Sequence, residues 1–172
     1  MVEQGQDFRV KRRPSWHQRV MVRIASSRFG AWWFSRTLYR MDLPVIRLSK
    51  GRRSVTSPAT GLPVVTLTTR GARTGKLHTT PLIGIPDGEN VVVIASNWGR
   101  THHAGWYYNL RANPEVTLSM KGSTGTYVAR EATGEERDEY WRRGVELYRG
   151  YESYRQRTRR KIPVIVLTPK KS

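Results

Sequence analysis

The sequence predicts a mainly β protein, a small antiparallel barrel with flanking helices. Three observations carry that expectation. Short apolar runs recur at residues 64–68, 91–95, 116–120 and 162–167, each the length of a strand. Glycine-rich punctuation follows or separates them at 71–75, at Pro86-Asp87-Gly88 and at 122–125, and such residues supply the tight turns of antiparallel pairs. Few helical segments intervene, which argues against alternating βαβ units and a doubly wound sheet.

Taken in order, residues 1–14 are polar and basic and predict a flexible tail. Residues 15–50 predict an amphipathic helical segment and linker, and 51–172 the barrel domain. Ser15 can cap a helix over 16–40, broken near Gly30. That helix interleaves Trp16, Val20, Ile24, Phe29, Trp33 and Phe34 with Arg19, Arg23, Arg28, Arg36 and Arg40. The mixture suits the surface of an anionic bilayer, and equally a helix packed on the domain with a solvated basic edge. Residues 64–68 read as a strand and 79–85 as a second, with Pro81 marking an edge or a bulge. Residues 91–95 read as a buried strand. Asn97 opens a loop, and 105–111 fit a short helix that stops before Asn113-Pro114. Residues 116–120 and 126–131 form a strand pair. Thr133 followed by Glu136 is a capping-box pattern for a helix from Gly134 that carries Tyr140, Trp141, Val145 and Tyr148. Tyr148, Tyr151 and Tyr154 recur every three residues and can share one face of a short helix. Residues 162–167 are the last strand.

Composition narrows the function classes. The 172 residues suffice for one domain with its own core. Absence of cysteine excludes disulfides, iron–sulfur ligation and a thiolate nucleophile. The four histidines do not fall into a metal-ligating spacing, so no metal is expected. No apolar run approaches the ~20 residues of a bilayer span, and the N-terminus lacks the apolar core of a secretory signal; a cytoplasmic protein is expected. The formal charge of +18, from 31 Lys and Arg against 13 Asp and Glu, suits nucleic acid, anionic lipid or a polyanionic small molecule. Zinc-finger spacing, a GXXG clamp and an RNP pattern are all missing, so no specific nucleic-acid partner is expected.

Four groups of residues can carry chemistry. In the 71–76 turn, Arg73, Thr74, Gly75 and Lys76 combine two cations, a hydroxyl and converging amides, with Arg70 just before them. Such a turn can hold an anion. It lacks the full phosphate-loop pattern, and a solvated basic hairpin is the plainer alternative. Ser96 and Asn97 end a strong strand, where a rigid support holds functional groups, or they simply stop it. Trp106 and Asn109 share a helical face; core packing explains Trp106, whereas a buried Asn109 amide needs partners. The hydroxyls of Tyr148, Tyr151 and Tyr154 can orient an acceptor oxygen or donate a proton through water, or the rings can pack on the barrel.

Five ordered segments, LTTRGARTGKLHTTPL (67–82), VVVIASNWG (91–99), WYYNLRANP (106–114), ATGEERDEYW (132–141) and YRGYESYRQRTRRKIPVIVL (148–167), together resemble the deazaflavin (F420)-dependent nitroreductase family, the F420-dependent quinone reductases. The resemblance implies a split β-barrel related to FMN-binding barrels. It implies reduced F420 as hydride donor, a quinone as acceptor and nitro compounds as accidental substrates. It places Arg73, Thr74, Gly75 and Lys76 in the loop that receives the cofactor phosphate, with His78 beside them. Ser96 and Asn97 then lie near the deazaflavin, Trp106 and Asn109 in the next cofactor-lining segment, and Tyr148, Tyr151 and Tyr154 on the substrate side, where with Ser96 they form the catalytic set. The chain departs from the family pattern at Ala72, His78, Asn97 and Trp98, and His103-Ala104 stands where histidine and proline are usual. Relatives include monomers and homodimers, and a homodimer is the expected assembly. The N-terminal segment resembles members that attach to the inner face of the cell membrane. Two other readings stay open: an FMN- or haem-binding split barrel, and a non-enzymatic basic module for membrane or nucleic acid.

Overall fold

The computed structural model describes residues 62–171. The tail over 1–14 and the amphipathic segment over 15–50 lie outside the described residues. Six strands form one closed antiparallel barrel in the order β1-β2-β3-β6-β5-β4. The strands are β1 (Val64–Arg70), β2 (Leu77–Asp87), β3 (Asn90–Ile94), β4 (Glu115–Met120), β5 (Ser123–Glu131) and β6 (Val164–Pro169). Helix α1 (Gly105–Ala112) separates β3 from β4, and α2 (Gly134–Leu147) and α3 (Gly150–Gln156) separate β5 from β6. Closure pairs each described strand with two neighbours over at least part of its length.

The continuous apolar run at 91–95 is explained by burial on both faces. Val91, Val93 and Ala95 point into the barrel with Val65, Leu67, Val116, Leu118, Ile165 and Leu167. Val92 and Ile94 point outward, with Val164 and Val166 of β6, beneath the aromatic residues of α2 and α3. The period of two within β3 and β6 thus divides one apolar run between two cores. Trp106 and Leu110 of α1 join the interior core.

β2 is longer than its pattern suggests because it serves two neighbours. Residues 77–83 pair with β1, and 84–87 with β3. Pro81 pairs only with Thr66 of β1, in the half of the strand that has no β3 partner, which is where a missing N–H is tolerated. Two local expectations fail. The α2 helix begins at Gly134 as the pattern implies, but Thr133 makes no side-chain capping bond; Glu136 is held instead by Arg130, at 2.6 and 2.7 Å. Tyr148 lies at the C-cap of α2 and precedes α3, so the three tyrosines do not share one helix.

Candidate active site

The turn between β1 and β2 is a compact loop closed by its own backbone. Gly71 N–H donates to Lys76 O at 2.8 Å, and Gly75 N–H donates to Gly71 O at 2.9 Å. Gly75 has φ of 67°, a left-handed conformation that glycine adopts without steric cost. Asn109 of α1 ties the turn down: its Oδ1 accepts from Ala72 N–H at 3.1 Å, and its Nδ2 donates to the buried Thr69 Oγ1 at 3.1 Å. Asn113 Nδ2 adds a bond to Arg70 O at 3.4 Å. Asn109 therefore spends its amide on positioning the turn. Arg73, Thr74, Gly75, Lys76 and His78 all stay exposed, and Arg70 lays its guanidinium on Gly75 O at 3.2 Å.

Ser96 lies two residues past β3 and opens a shelf of unusual backbone. Asn97, Trp98 and Gly99 have φ of 47°, 59° and 75° in succession. This left-handed turn is closed by bonds from Gly99 N–H to Ser96 O and Arg100 N–H to Asn97 O, both 3.0 Å. The conformation costs a non-glycine L-residue roughly 1–2 kcal/mol, and Asn tolerates it better than a bulky residue such as Trp. Such strain concentrates at functional sites when surrounding structure enforces it. Here α3 does part of the enforcing. A Cβ on Gly99 would lie 2.9 Å from Tyr154 O and 3.0 Å from Arg157 Cβ, so glycine is required by close approach as well as by φ. Trp98 meets Tyr154 edge-on, with ring centroids 5.9 Å apart. Asn97 Nδ2 donates to His102 O at 2.9 Å.

The three tyrosines converge although they span a helix break. Tyr148 and Tyr151 are perpendicular with centroids 5.3 Å apart, and Tyr151 and Tyr154 lie 6.3 Å apart. The Tyr148 and Tyr154 hydroxyls share a hydrogen bond of 2.8 Å. All three residues are buried, Tyr154 to 2% of its free exposure. Desolvation pushes each phenol above its ordinary value. The rings are therefore neutral donors over the physiological range and cannot serve as phenolate bases.

The structure thus sorts the expected residues into three patches. The 71–76 cations are exposed, the 96–99 shelf is strained and half-buried, and the tyrosines are buried beside that shelf. Trp98 joins the last two, and α1 joins the turn to the shelf side. Trp106 contributes to the barrel core, at 7% exposure. Sequence reasoning missed a further group. Arg160 donates to Ser96 O at 2.6 Å, Ala95 O at 3.3 Å and Arg100 O at 2.9 Å, and its NH1 lies 3.0 Å from His103 Nδ1. His103 stacks on Tyr107, with centroids 4.7 Å apart, and Tyr107 donates to Glu131 Oε2 at 2.9 Å. No sequence spacing signals these contacts, since Arg160 acts on residues about sixty positions earlier.

A closed antiparallel barrel carrying α2 and α3 over its outer face and a cationic hairpin at one end defines the class of split-barrel proteins. A haem-binding protein from Mycobacterium smegmatis shares this fold at 18% identity, with a TM-score of 0.50 over 65% of this chain and 48% of that one. A solved F420-H2 dependent reductase is 37% identical, with a TM-score of 0.58 over 61% of this chain and 93% of its own. A domain-swapped dimer is 33% identical, with a TM-score of 0.59 over 74% and 95% of the two chains. An F420H(2)-dependent quinone reductase of Mycobacterium tuberculosis is 33% identical over 134 residues, covering 76% of this chain and 89% of that protein. The family model for F420H(2)-dependent quinone reductases matches residues 38–169. The chain belongs to that family.

Proposed function

We propose that this protein is an oxidoreductase that uses reduced F420 to reduce a quinone. Family membership over residues 38–169 is the observation that carries the reading. The donor set of the 71–76 turn fits the cofactor's acidic end. Arg73 and Lys76 are exposed, and charge-assisted bonds from such groups to phosphate are strong. In this reading Arg73, Thr74, Gly75 and Lys76 hold the phosphate, with His78 at the rim, and the wider positive charge suits the oligoglutamate tail. When bound, reduced F420 supplies a hydride from C5.

The chain's own residues then bind, orient and screen. Ser96 and Asn97 form the shelf beside the deazaflavin, with Trp106 behind it in the barrel core. Asn109 holds the phosphate turn against α1. Tyr148, Tyr151 and Tyr154 form a protonated, water-poor wall that keeps a donor available for the acceptor's developing oxyanion. Placing donor and acceptor face to face accounts for the rest of the catalysis. Nitro compounds are accidental acceptors in this reading. The domain-swapped dimer among the relatives supports a homodimer, and light scattering over a range of concentrations checks it. Peripheral docking by residues 15–40 gives access to a lipid-soluble acceptor, and co-sedimentation with anionic liposomes at low salt checks that.

Titration with F420 and an assay of reduced F420 oxidation with menaquinone analogues test the main proposal. Saturable F420 binding and quinone-dependent oxidation are expected. Undetectable F420 binding together with tightly held FMN or haem would overturn it.

A further inference from the structure

We propose that Arg160 is a positioning residue for the candidate cofactor site: bonded to four acceptors of the 95–103 segment, it holds the left-handed Asn97–Gly99 turn in place and fixes His103 as a neutral acceptor at Nδ1. Its effect on cofactor binding rests on the F420 reading above, whereas its effect on the turn and on His103 does not.

Within the turn, the backbone bonds from Gly99 to Ser96 and from Arg100 to Asn97 are local; they shape it without anchoring it. Anchoring comes from the link between α3 and β6. Ala95 N–H donates to Pro163 O at 2.9 Å. The Arg160 guanidinium adds Nε to Arg100 O and NH2 to Ser96 O and Ala95 O. One planar fork thus spans both ends of a segment in which three successive residues have positive φ. Backbone carbonyls of a strained turn would otherwise need water, and a half-buried site supplies little. The planar fork matters, because lysine concentrates its charge on one nitrogen and cannot reproduce this set of directions.

The fourth contact settles a tautomer. A guanidinium only donates, so His103 Nδ1, 3.0 Å from Arg160 NH1, presents its lone pair, and the ring proton sits on Nε2. The neighbouring His102 Nδ1 lies 3.1 Å from the His103 carbonyl and 3.3 Å from Asn97 Nδ2. Asn97 Nδ2 also donates to His102 O at 2.9 Å. The two adjacent histidines thereby tie the shelf to the start of α1.

The charges around His103 favour this neutral state. Burial lowers its pKa below 6.5, Arg160 lowers it further, Glu131 raises it, and Arg111 and His102 lower it. Tyr107 and Tyr108 cover the ring at 4.7 and 5.9 Å. Because the folded value is depressed, the contribution is present above pH 6.5 and is lost as pH falls through the folded value. Protonation would set two cations in contact and remove the Nδ1 acceptor.

The test uses the full chain and the variants R160K and H103N. In H103N the amide oxygen can occupy the acceptor position without a titrating ring. Nitrogen-15 NMR of labelled histidine reports the His103 tautomer, thermal melting reports folding, and fluorescence titration reports F420 affinity. We expect His103 in the wild type to carry its proton on Nε2, and in R160K to lose that bias with F420 affinity falling roughly tenfold or more, as for loss of charge-assisted bonds. H103N should retain affinity and lose the wild type's fall in melting temperature between about pH 7.5 and about pH 5.5, the window of histidine titration. Unchanged His103 tautomer in R160K would overturn the proposal. So would an altered tautomer with unchanged F420 affinity, since the shelf would then not depend on Arg160. If the wild type binds no F420, the functional reading fails separately, and the tautomer and pH comparisons still decide what Arg160 does to the turn.

Discussion

The 71–76 turn and the tyrosine cluster place polar groups under opposite conditions. At the turn, the cations of Arg73 and Lys76 stand in solvent, while backbone bonds and one asparagine amide hold the loop. At the cluster, three phenols are buried among apolar neighbours, and two of them satisfy each other. Exposed cations cost the fold little and stay free to meet an anion. Buried phenols stabilise the fold and stay protonated. Charge recognition and acceptor positioning therefore answer to different physics, and substitutions should separate them. The turn should govern binding with little effect on stability, whereas the cluster should govern stability first.

The largest effect should follow truncation within the cluster. Tyr154→Ala removes a ring that is 2% exposed, and loss of a large buried aromatic costs about 3–5 kcal/mol. Urea unfolding of this variant beside Arg73→Ala tests the contrast directly. The Arg73 variant should stay within about 0.5 kcal/mol of the parent, as an exposed substitution does. Equal losses would erase the distinction.

Next in size is the binding effect of the turn. Arg73→Ala or Lys76→Ala should each weaken F420 affinity by about 1.5–3 kcal/mol, the contribution of a hydrogen bond to a charged group. Calorimetric titration at two salt concentrations measures it, and the loss should shrink as salt rises. Unchanged titrations in both variants would remove the turn from the site. Tyr151→Phe supplies the converse, with near-normal F420 affinity and lower quinone turnover. Parent-like turnover with several quinones would reduce Tyr151 to a packing residue.

A smaller effect isolates the hydroxyl pair. Tyr148→Phe or Tyr154→Phe strands the remaining hydroxyl, at a cost of about 1–3 kcal/mol for a buried unpaired group. The double variant should recover part of that loss, because no polar group is left stranded. A double-mutant cycle that is strictly additive would show that the 2.8 Å bond contributes no coupling.

Most of the barrel was legible because its signals are local. The sequence pattern marks all six strands to within three residues, and the run at 91–95 announces double-sided burial through its unbroken apolarity. The full length of β2 was less legible, two residues longer at each end than the expected 79–85, because two different partners share residues 77–87. The capping box at Thr133 and Glu136 misled for a related reason: a tertiary partner, Arg130, outcompetes the local backbone for the carboxylate. Within the site, the resemblance drew attention to the turn, shelf and tyrosines. The left-handed backbone at Trp98 and the Arg160 anchor were invisible, because each depends on packing between segments far apart in the chain.

The smallest predicted effect concerns pH, at a third polar arrangement that lies between those two extremes. Asp87, at the β2–β3 turn, accepts from Arg143 NH1 at 2.8 Å and from the Tyr140 hydroxyl at 2.7 Å, and Arg143 also bonds Pro86 O. Arg143 and then Tyr140 hold the carboxyl below its ordinary value of 3.8. Burial, reinforced by Asp87, pushes the Tyr140 phenol up to about 12. The two shifts act at opposite ends of the pH scale. Asp87 binds fewer protons folded than unfolded, so its contribution is full above pH 3.8 and is lost as pH falls through the folded value. Tyr140 binds more protons folded than unfolded, so its contribution is full below pH 10 and is lost as pH rises towards about 12. The ion pair is about one-third exposed on each side, and solvent screening limits it to roughly 0–1 kcal/mol. Urea midpoints measured across both limbs should therefore flatten in acid for Asp87→Asn, and in alkali for Tyr140→Phe. If Asp87→Asn leaves the acid limb as steep as the parent's, the Arg143 contact does not set that carboxyl's titration. This half-buried network would then behave like the solvated cations of the 71–76 turn rather than like the tyrosines.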